Sequence, residues 1–334
     1  MKKQSLDASV SAQASGAASH GAGEPAVQTD RTAARSGLEP VPLFTVPVIQ
    51  APIKPRPNPH ADASVAAAHA LCASHGIFLN AEEEQRTMAD DLLRASAWVY
   101  PRASLPRLVN LAALFAWMFL ADDRDDHAAR VEATAPIPAR DFLERFTVDM
   151  SPAWGGRFIR NLKDWTASNH HVARHRQAGA VPTEAEYVPL RRLTSALVWF
   201  YDLIEYANEE ELPASFLGTP VYRSLMESIT DATTFTNDLY SAHKEHARGE
   251  LHNLPTVLRH HHGMTWQEAA DVTAVRVHHH LQAFTDACQA LPEQATLERR
   301  WARGLAECMA GNLAYFRTSH RYATQTGPHP TPVN

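Results

Sequence analysis

Asn237, Ser241 and Glu245 recur at four-residue intervals in the run Asn237-Asp238-Leu239-Tyr240-Ser241-Ala242-His243-Lys244-Glu245. On a helix that interval stacks three oxygen-bearing side chains along one face. An amide oxygen, a hydroxyl and a carboxylate make a hard donor set. It suits Mg2+ better than Zn2+ and leaves positions open for water or phosphate. Lys244 sits beside the set and can neutralise an anionic ligand. A polar stripe on a solvated helix would use the same residues, and the motif alone does not separate the two readings. A second cluster tips the balance. Asp122-Asp123-Arg124-Asp125-Asp126-His127 ends the apolar segment 108–121. Asp122 and Asp126 face the same way, and their repulsion is costly unless cations offset it. Arg124 offsets part of it. Alone, this cluster reads as a helix emerging into water. Together the two describe an apolar cavity whose rim holds several divalent cations. Mg2+ binds through a few carboxylates plus substrate phosphates, so a diphosphate fits the rim. The apolar space beneath calls for a greasy tail, hence an isoprenoid diphosphate.

The elements that must position these groups are helical almost everywhere from Asp62 onward. Helices are expected over Ala63–His75, Ala81–Tyr100, Leu105 to about Arg130, Ile137–Asp149, Trp154–Gln177, Leu254–His262 and about Ala295–Tyr322. Thr183 with Glu186, and Thr265 with Glu268, form capping boxes that open two more. The first of these runs to about Asn208 and the second stops before Pro292. Thr219-Pro220 opens the helix that carries Asn237 and ends near Gly249. No stretch alternates like a strand. The expected class is all-α with a single helical core.

Residues 1–38 are rich in Ala, Ser, Gly and Gln and cannot offset their ordering entropy, so a disordered tail is expected. Residues 39–61 hold seven prolines between Pro40 and Pro59 and read as an extended strap. Its apolar Leu43, Phe44, Val46, Val48 and Ile49 suggest partial packing on the domain. The domain itself spans 62–325, followed by a tail over 326–334. The net charge of −6, without a Lys/Arg block, gives no nucleic-acid surface. Cys72, Cys288 and Cys308 are too few and too scattered for a disulfide framework, and free thiols fit a reducing compartment. The apolar window 108–121 is short for a transmembrane segment. No apolar stretch follows Lys2 and Lys3, so no secretory signal is expected. A cytoplasmic protein is the expectation. The runs His260-His261-His262 and His278-His279-His280 point about 100° apart per residue on a helix and chelate one ion poorly. They read as solvated. Asp90-Asp91 reads as a polar helix face.

The chain resembles the bacterial class I terpene cyclases over roughly residues 45–325. Asp122-Asp123-x-x-Asp126 matches their aspartate-rich motif, and Asn237-Asp238-x-x-Ser241-x-x-x-Glu245 their second metal motif, with Lys244 before the final Glu. Arg191 lies 46 residues before Asn237, where the family keeps a diphosphate-sensing arginine. Arg321-Tyr322 matches the C-terminal pair that hydrogen-bonds the diphosphate, and Glu250-Leu251-His252-Asn253-Leu254 is also family-like. The run Tyr187-x-x-Leu190-Arg191-Arg192-Leu193-Thr194 points to a sesquiterpene-cyclising branch. The resemblance implies one helical bundle around an apolar cavity, with three Mg2+ ions clamping the diphosphate of farnesyl diphosphate. Asp122, Asp126, Asn237, Ser241 and Glu245 would hold metal, while Arg191, Lys244, Arg321 and Tyr322 would donate hydrogen bonds to the diphosphate. Asp123 is displaced around its helix and is expected to pair with an arginine. Phe119, one turn deeper than Asp122, and Phe200 would line the cation pocket. Trp117, Trp199, Phe235, Tyr315 and Phe316 are further aromatic candidates. Family members are often dimers or monomers, which leaves a homodimer open.

Departures from the family pattern are plain. The segment between Asp126 and Tyr187 is shorter than in typical members. Pro189 lies inside the helix that carries Arg191 and removes a backbone donor there. Thr194-Ser195 stands where many members have Asp-Gly, and Met118 and Ser195 stand at positions that are aromatic in some. A monoterpene or methylated-monoterpene cyclase, using geranyl or 2-methylgeranyl diphosphate, is the alternative within the enzyme class. A noncatalytic prenyl-diphosphate-binding protein is the alternative outside it.

Overall fold

The computed structural model describes residues 43–127 and 138–325, except for the side chains of 125–127, 170 and 323–325. The expected tails, residues 39–42 of the strap and the side chain of Asp126 lie outside the described residues. Among those described there are α-helices and no strand. They are α1 (Ala61–Ser74), α2 (Ala81–Ala89), α3 (Leu92–Val99), α4 (Leu105–His127), α5 (Arg140–Thr147), α6 (Pro152–Ala178), α7 (Glu184–Thr194), α8 (Leu197–Asn208), α9 (Ala214–Leu217), α10 (Pro220–Ala247), α11 (Leu254–His262), α12 (Trp266–Gln289) and α13 (Thr296–Thr318). A 3₁₀ turn, His320–Gln325, follows.

Local chemistry starts most of the long helices. Thr183 and Thr265 close capping boxes with Glu186 and Glu268. Ser151 and Thr219 each accept a backbone N–H three residues on, with proline at the first helical position. α4 is the core helix. Leu108, Leu111, Leu114, Phe115 and Leu120 are fully buried, each contributing about 1.5–3 kcal/mol by burial. Its length and composition would allow it to cross a membrane, yet 67% of that apolar stretch is buried inside the protein. α13 crosses α3 backbone against backbone. A Cβ on Gly311 would come within 2.1 Å of the Trp98 carbonyl oxygen, so only glycine fits there.

Three expected helices are interrupted. Ala81–Tyr100 divides at Asp90–Asp91, where Asp91 takes a left-handed φ of 56°. The carbonyl of Asp90 accepts hydrogen bonds from Tyr315 Oη and Ser319 Oγ, both at 3.0 Å, so this is a tertiary junction and not a polar helix face. The helix from Thr183 continues through Pro189 but ends at Thr194. Ala196, with φ 66°, restarts the chain as α8. The last helix stops at Thr318, and Arg321-Tyr322 sit on the 3₁₀ turn. The strap packs by its apolar residues as expected. Phe44 and Ile49 are buried while Val48 stays exposed. Gln267 brackets the Thr45 backbone, and Arg317 donates to the Ile49 carbonyl at 2.6 Å.

Candidate active site

The walls of one cavity come from α4, α6, the α7–α8 junction, α10, α13 and the 3₁₀ turn. Its empty space is about 740 Å³ counting the open mouth. Asp122, Arg191, Asn237, Ser241, Lys244, Glu245, Arg321 and Tyr322 meet around it, with Phe119 and Phe200 in its wall. These groups are up to 203 residues apart in the chain. Of the further aromatic candidates only Phe316 lines the cavity. Trp165, which sequence reasoning missed, lines it from α6. Trp117, Trp199, Phe235 and Tyr315 lie in the core.

α10 aims the first motif. Asn237, Ser241 and Glu245 stack on the cavity side as the four-residue interval requires. Ser241 Oγ is buried with no hydrogen-bond partner, and an unmet buried hydroxyl costs about 1–3 kcal/mol. Asn237 Oδ1 accepts from Arg191 Nη2 at 2.7 Å. Glu245 Oε2 accepts from Asn253 Nδ2 at 2.9 Å. An orphaned hydroxyl between an amide and a carboxylate is a hard oxygen set with coordination left to satisfy, and it fits a divalent cation. Among the described residues no group of three His, Cys, Asp or Glu side chains could hold a metal.

Behind this face stands Asp238, fully buried and missed as a functional residue. Its carboxylate accepts from Tyr187 Oη, from Arg191 Nε at 3.0 Å and from the Leu254 backbone at 3.1 Å. Burial pushes its pKa up to about 6, with the Arg191 charge opposing. Asp238 therefore fixes the Arg191 fork that reaches Asn237. Asn253 also donates to the Asp238 carbonyl at 2.9 Å. The signal for both was present in the motif and in the Glu250–Leu254 run, but which partner each would find was not.

On the opposite side α4 presents Asp122, half exposed, above a buried Asp123. Asp123 pairs with an arginine as expected, and the arginine is Arg321. Nη1 reaches Oδ2 at 2.8 Å and Nη2 reaches Oδ1 at 2.9 Å. Arg248 adds a bond at 3.3 Å. Burial alone would raise the Asp123 pKa; the Arg321 charge and its paired hydrogen bonds hold it well below the carboxylate range. Arg321 Nη2 also lies 3.4 Å from Asp122 Oδ2, and its guanidinium carbon sits 5.1 Å over the Phe119 ring. Its Nε is buried and unpaired. Arg124 does not offset the aspartates: it turns to Glu83 and the Ile77 carbonyl. Burial and the Arg321 charge lower the Lys244 pKa, against Asp122, Asp123 and Glu245. Tyr322 Oη accepts from Asn237 Nδ2 at 3.4 Å, which joins the 3₁₀ turn to α10.

The histidine runs stay outside the cavity. His260, His261 and His262 are exposed, as are His278 and His279. His280 departs from the solvated reading: it is half-buried, 5.5 Å from the Phe235 ring and 3.6 Å from Asp231, because α12 packs along α10.

Comparison with known proteins gives the family. The family model for terpene synthase family 2, C-terminal metal binding, fits residues 103–283. Sesquiterpene synthase Agr1 of Cyclocybe aegerita is 28% identical over 253 residues, covering 68% of this chain and 73% of that protein. The 10-epi-cubebol synthase of Sorangium cellulosum (strain So ce56) is 26% identical over 304 residues, covering 81% and 94%. The fold matches the crystal structure of linalool/nerolidol synthase from Streptomyces clavuligerus with a TM-score of 0.72, at 24% identity, over 82% of this chain and 99% of that one. With the family model matched over more than half its length, the chain belongs to terpene synthase family 2 and is a class I terpene synthase, a lyase that uses divalent metal to turn an isoprenoid diphosphate into a terpene.

Proposed function

We propose that the chain ionises farnesyl diphosphate with Mg2+ and cyclises the resulting carbocation to a sesquiterpene. The domain over 62–325 does this work. The observation that carries the reading is the convergence of Asp122, Asn237, Ser241, Glu245, Arg191, Lys244, Arg321 and Tyr322 on one cavity whose wall holds Phe119 and Phe200. Sesquiterpene synthase is also the name of one relative, Agr1 of Cyclocybe aegerita.

Asn237, Ser241 and Glu245 would hold metal on α10, and Asp122 with Asp126 would hold it on α4, three ions in all. Bound Mg2+ supplies Lewis-acid stabilisation of the departing diphosphate. The protein's own cations share that work. Lys244 borders the anion site from α10, and Arg321, its fork paired with Asp123, brings its charge and its unpaired Nε to the other rim. Tyr322 Oη hydrogen-bonds the same oxygens. Arg191 is held by Asp238 and so meets the diphosphate in a fixed orientation. Once the bond breaks, the cation sits among Phe119, Phe200, Trp165 and Phe316. Their π faces stabilise positive charge, and their bulk excludes stray solvent.

The test is a product assay with geranyl, farnesyl and geranylgeranyl diphosphate, each with Mg2+ and each with chelator, read by gas chromatography–mass spectrometry and diphosphate release. The expected result is a metal-dependent cyclic C15 product from the farnesyl substrate. A C10 product alone would move the substrate to geranyl diphosphate. No release from any of the three would overturn the reading in favour of a noncatalytic binding protein.

A further inference from the structure

Below the metal rim the cavity wall is uneven. Met118, Phe119, Trp165, Leu197, Phe200 and Phe316 make it apolar, but Asn312, Thr233 and Thr234 bring polar atoms to the same space. Asn312 is tied to its own helix: Nδ2 donates to the Cys308 carbonyl at 3.0 Å and lies 3.5 Å from Cys308 Sγ. That orients the amide and leaves Oδ1 with no donor among the described residues. Thr233 and Thr234 each commit their single hydroxyl proton to α10 itself, to Ile229 O at 2.8 Å and Thr230 O at 2.9 Å. The buried Tyr201 hydroxyl lies within hydrogen-bonding reach of Thr233, so the oxygen lone pairs left to face the cavity are those of Thr234.

These acceptors share a tier. α10 and α13 run side by side in the same direction, joined by the Tyr222–Trp301 stack at 5.3 Å and the Tyr240–Phe316 ring pair at 5.7 Å. Between those two ties, Asn312 falls level with residues 235–236 of α10, within about one turn of Thr234. Thr233 and Thr234 precede Asn237 by three or four residues, so the tier lies about one helical turn, roughly 5 Å, below the metal-motif face. That is where the hydrocarbon part of a diphosphate anchored at the rim must lie.

We propose that Asn312, with Thr234, holds a water molecule that captures the carbocation, so that the principal product is a terpene alcohol. This rests on the cyclase reading above. Acceptors without donors in an apolar wall cost about 1–3 kcal/mol each if left dry, and a site offering two or more polar partners retains a water. A water that donates both protons to Asn312 Oδ1 and a threonine oxygen must turn its lone pair toward the cation. In the step itself, the oxygen lone pair forms the C–O bond at the cationic carbon. The resulting oxonium gives one proton to an oxygen of the released diphosphate. The balance is prenyl diphosphate plus water giving alcohol plus protonated diphosphate. The amide dipole favours the positive charge as it moves onto oxygen. Asn312 is thus a positioning residue for water and decides between alcohol and olefin.

The experiment incubates the full chain with farnesyl diphosphate and Mg2+ in 18O-water, with products read by mass spectrometry and diphosphate release measured in parallel. The wild type is expected to give mainly an alcohol carrying one 18O. Asn312→Leu is expected to shift the alcohol-to-olefin ratio at least tenfold toward olefin while diphosphate release continues. Thr234→Val should give a smaller shift in the same direction, and it serves as the deciding variant if Asn312→Leu does not fold. Release of diphosphate with only olefin from the wild type overturns the inference and leaves the cyclase reading intact. An unchanged ratio in a folded variant also overturns it. No diphosphate release from any prenyl diphosphate overturns both.

Discussion

Two clusters of buried charge serve opposite ends: one stands on α4, α10 and the 3₁₀ turn, the other on α6 and α8. At the cavity rim, Ser241 Oγ and Arg321 Nε are buried without a hydrogen-bond partner. Farther along α8, Arg157 of α6 donates to Asp202 at 2.8 Å and to Glu205 at 2.5 Å. Asn161 donates to Asp202 at 2.7 Å, and the Leu212 backbone to Glu205 at 2.8 Å. Asp202 and Glu205 border no cavity described here, and their carboxylate oxygens are met by protein donors. The contrast separates two uses of buried polarity. A satisfied network fixes how helices meet. An under-satisfied one that faces a cavity is incomplete without a ligand.

Breaking each cluster should therefore damage a different property. The largest expected effect is on stability, at the satisfied one. Arg157→Met leaves two carboxylates buried without their cation and should cost about 3–5 kcal/mol in chemical denaturation, with turnover per folded molecule retained. A variant that kept its stability but lost turnover would erase the distinction. Next in size is Asn237→Ala at the rim. It should lower diphosphate release about 10²–10³-fold, the scale seen when one group that stabilises developing charge is removed. Circular dichroism and melting should stay near wild type. Near-normal turnover would remove Asn237 from the metal set.

How far the rim could be seen from sequence follows from what kind of information placed each residue. Asn237, Ser241 and Glu245 were legible because a helix converts a four-residue interval into one face. Asp123 was legible as an ion-pair partner by its offset from Asp122, but its partner lies 198 residues away, and no local pattern carries such a distance. The breaks at Asp90–Asp91 and Ser195–Ala196 were not legible. No Gly marks either, and the first is tied by hydrogen bonds from Tyr315 and Ser319 to a carbonyl. Pro189, the one strong breaker in that region, interrupts nothing. Trp165 was missed because α6 shows no polar motif to draw attention to the face it turns inward. The all-helical class and the capping boxes were read correctly, since both depend on short-range chemistry. The side chain of Asp126 lies outside the described residues, so its place in the rim stays a proposal.

A smaller effect sharpens the comparison through pH. Burial, reinforced by Asp202 on the shared Arg157 and opposed by Arg157 itself, raises Glu205 from 4.5 to about 7. Between those values the folded chain keeps a proton that the unfolded chain releases. Stability contributed at Glu205 is thus present below about pH 4.5, falls as pH rises through the window, and levels off above about 7. The loss from pH 5 to 7 is about 2 kcal/mol at most. Glu205→Gln cannot titrate and should gain on the wild type by that amount across the same interval, apart from a constant offset for the altered bond to Arg157. Melting curves of both proteins at several pH values decide it. A difference that does not change with pH would show that Glu205 is ionised throughout.

The smallest effect tests whether the rim's orientation comes from the protein or from its ligand. Asn253 is fully buried, and its amide N–H groups reach both Glu245 Oε2 and the Asp238 carbonyl. It touches no part of the cavity, so it acts only by aiming Glu245. Asn253→Ala frees that carboxylate to rotate, and the entropy of fixing it must then be met when metal binds. The expected outcome is roughly a tenfold rise in the Mg2+ concentration needed for half-maximal diphosphate release, the lower end for groups that orient a ligand. The maximal rate should recover at saturating Mg2+. A structural role in seating α11 against α10 would instead lower the rate equally at every Mg2+ concentration and shift the melting temperature. Recovery at high metal, with an unchanged melt, would mean that the buried amide behind the rim exists to keep the Glu245 carboxylate in front correctly turned.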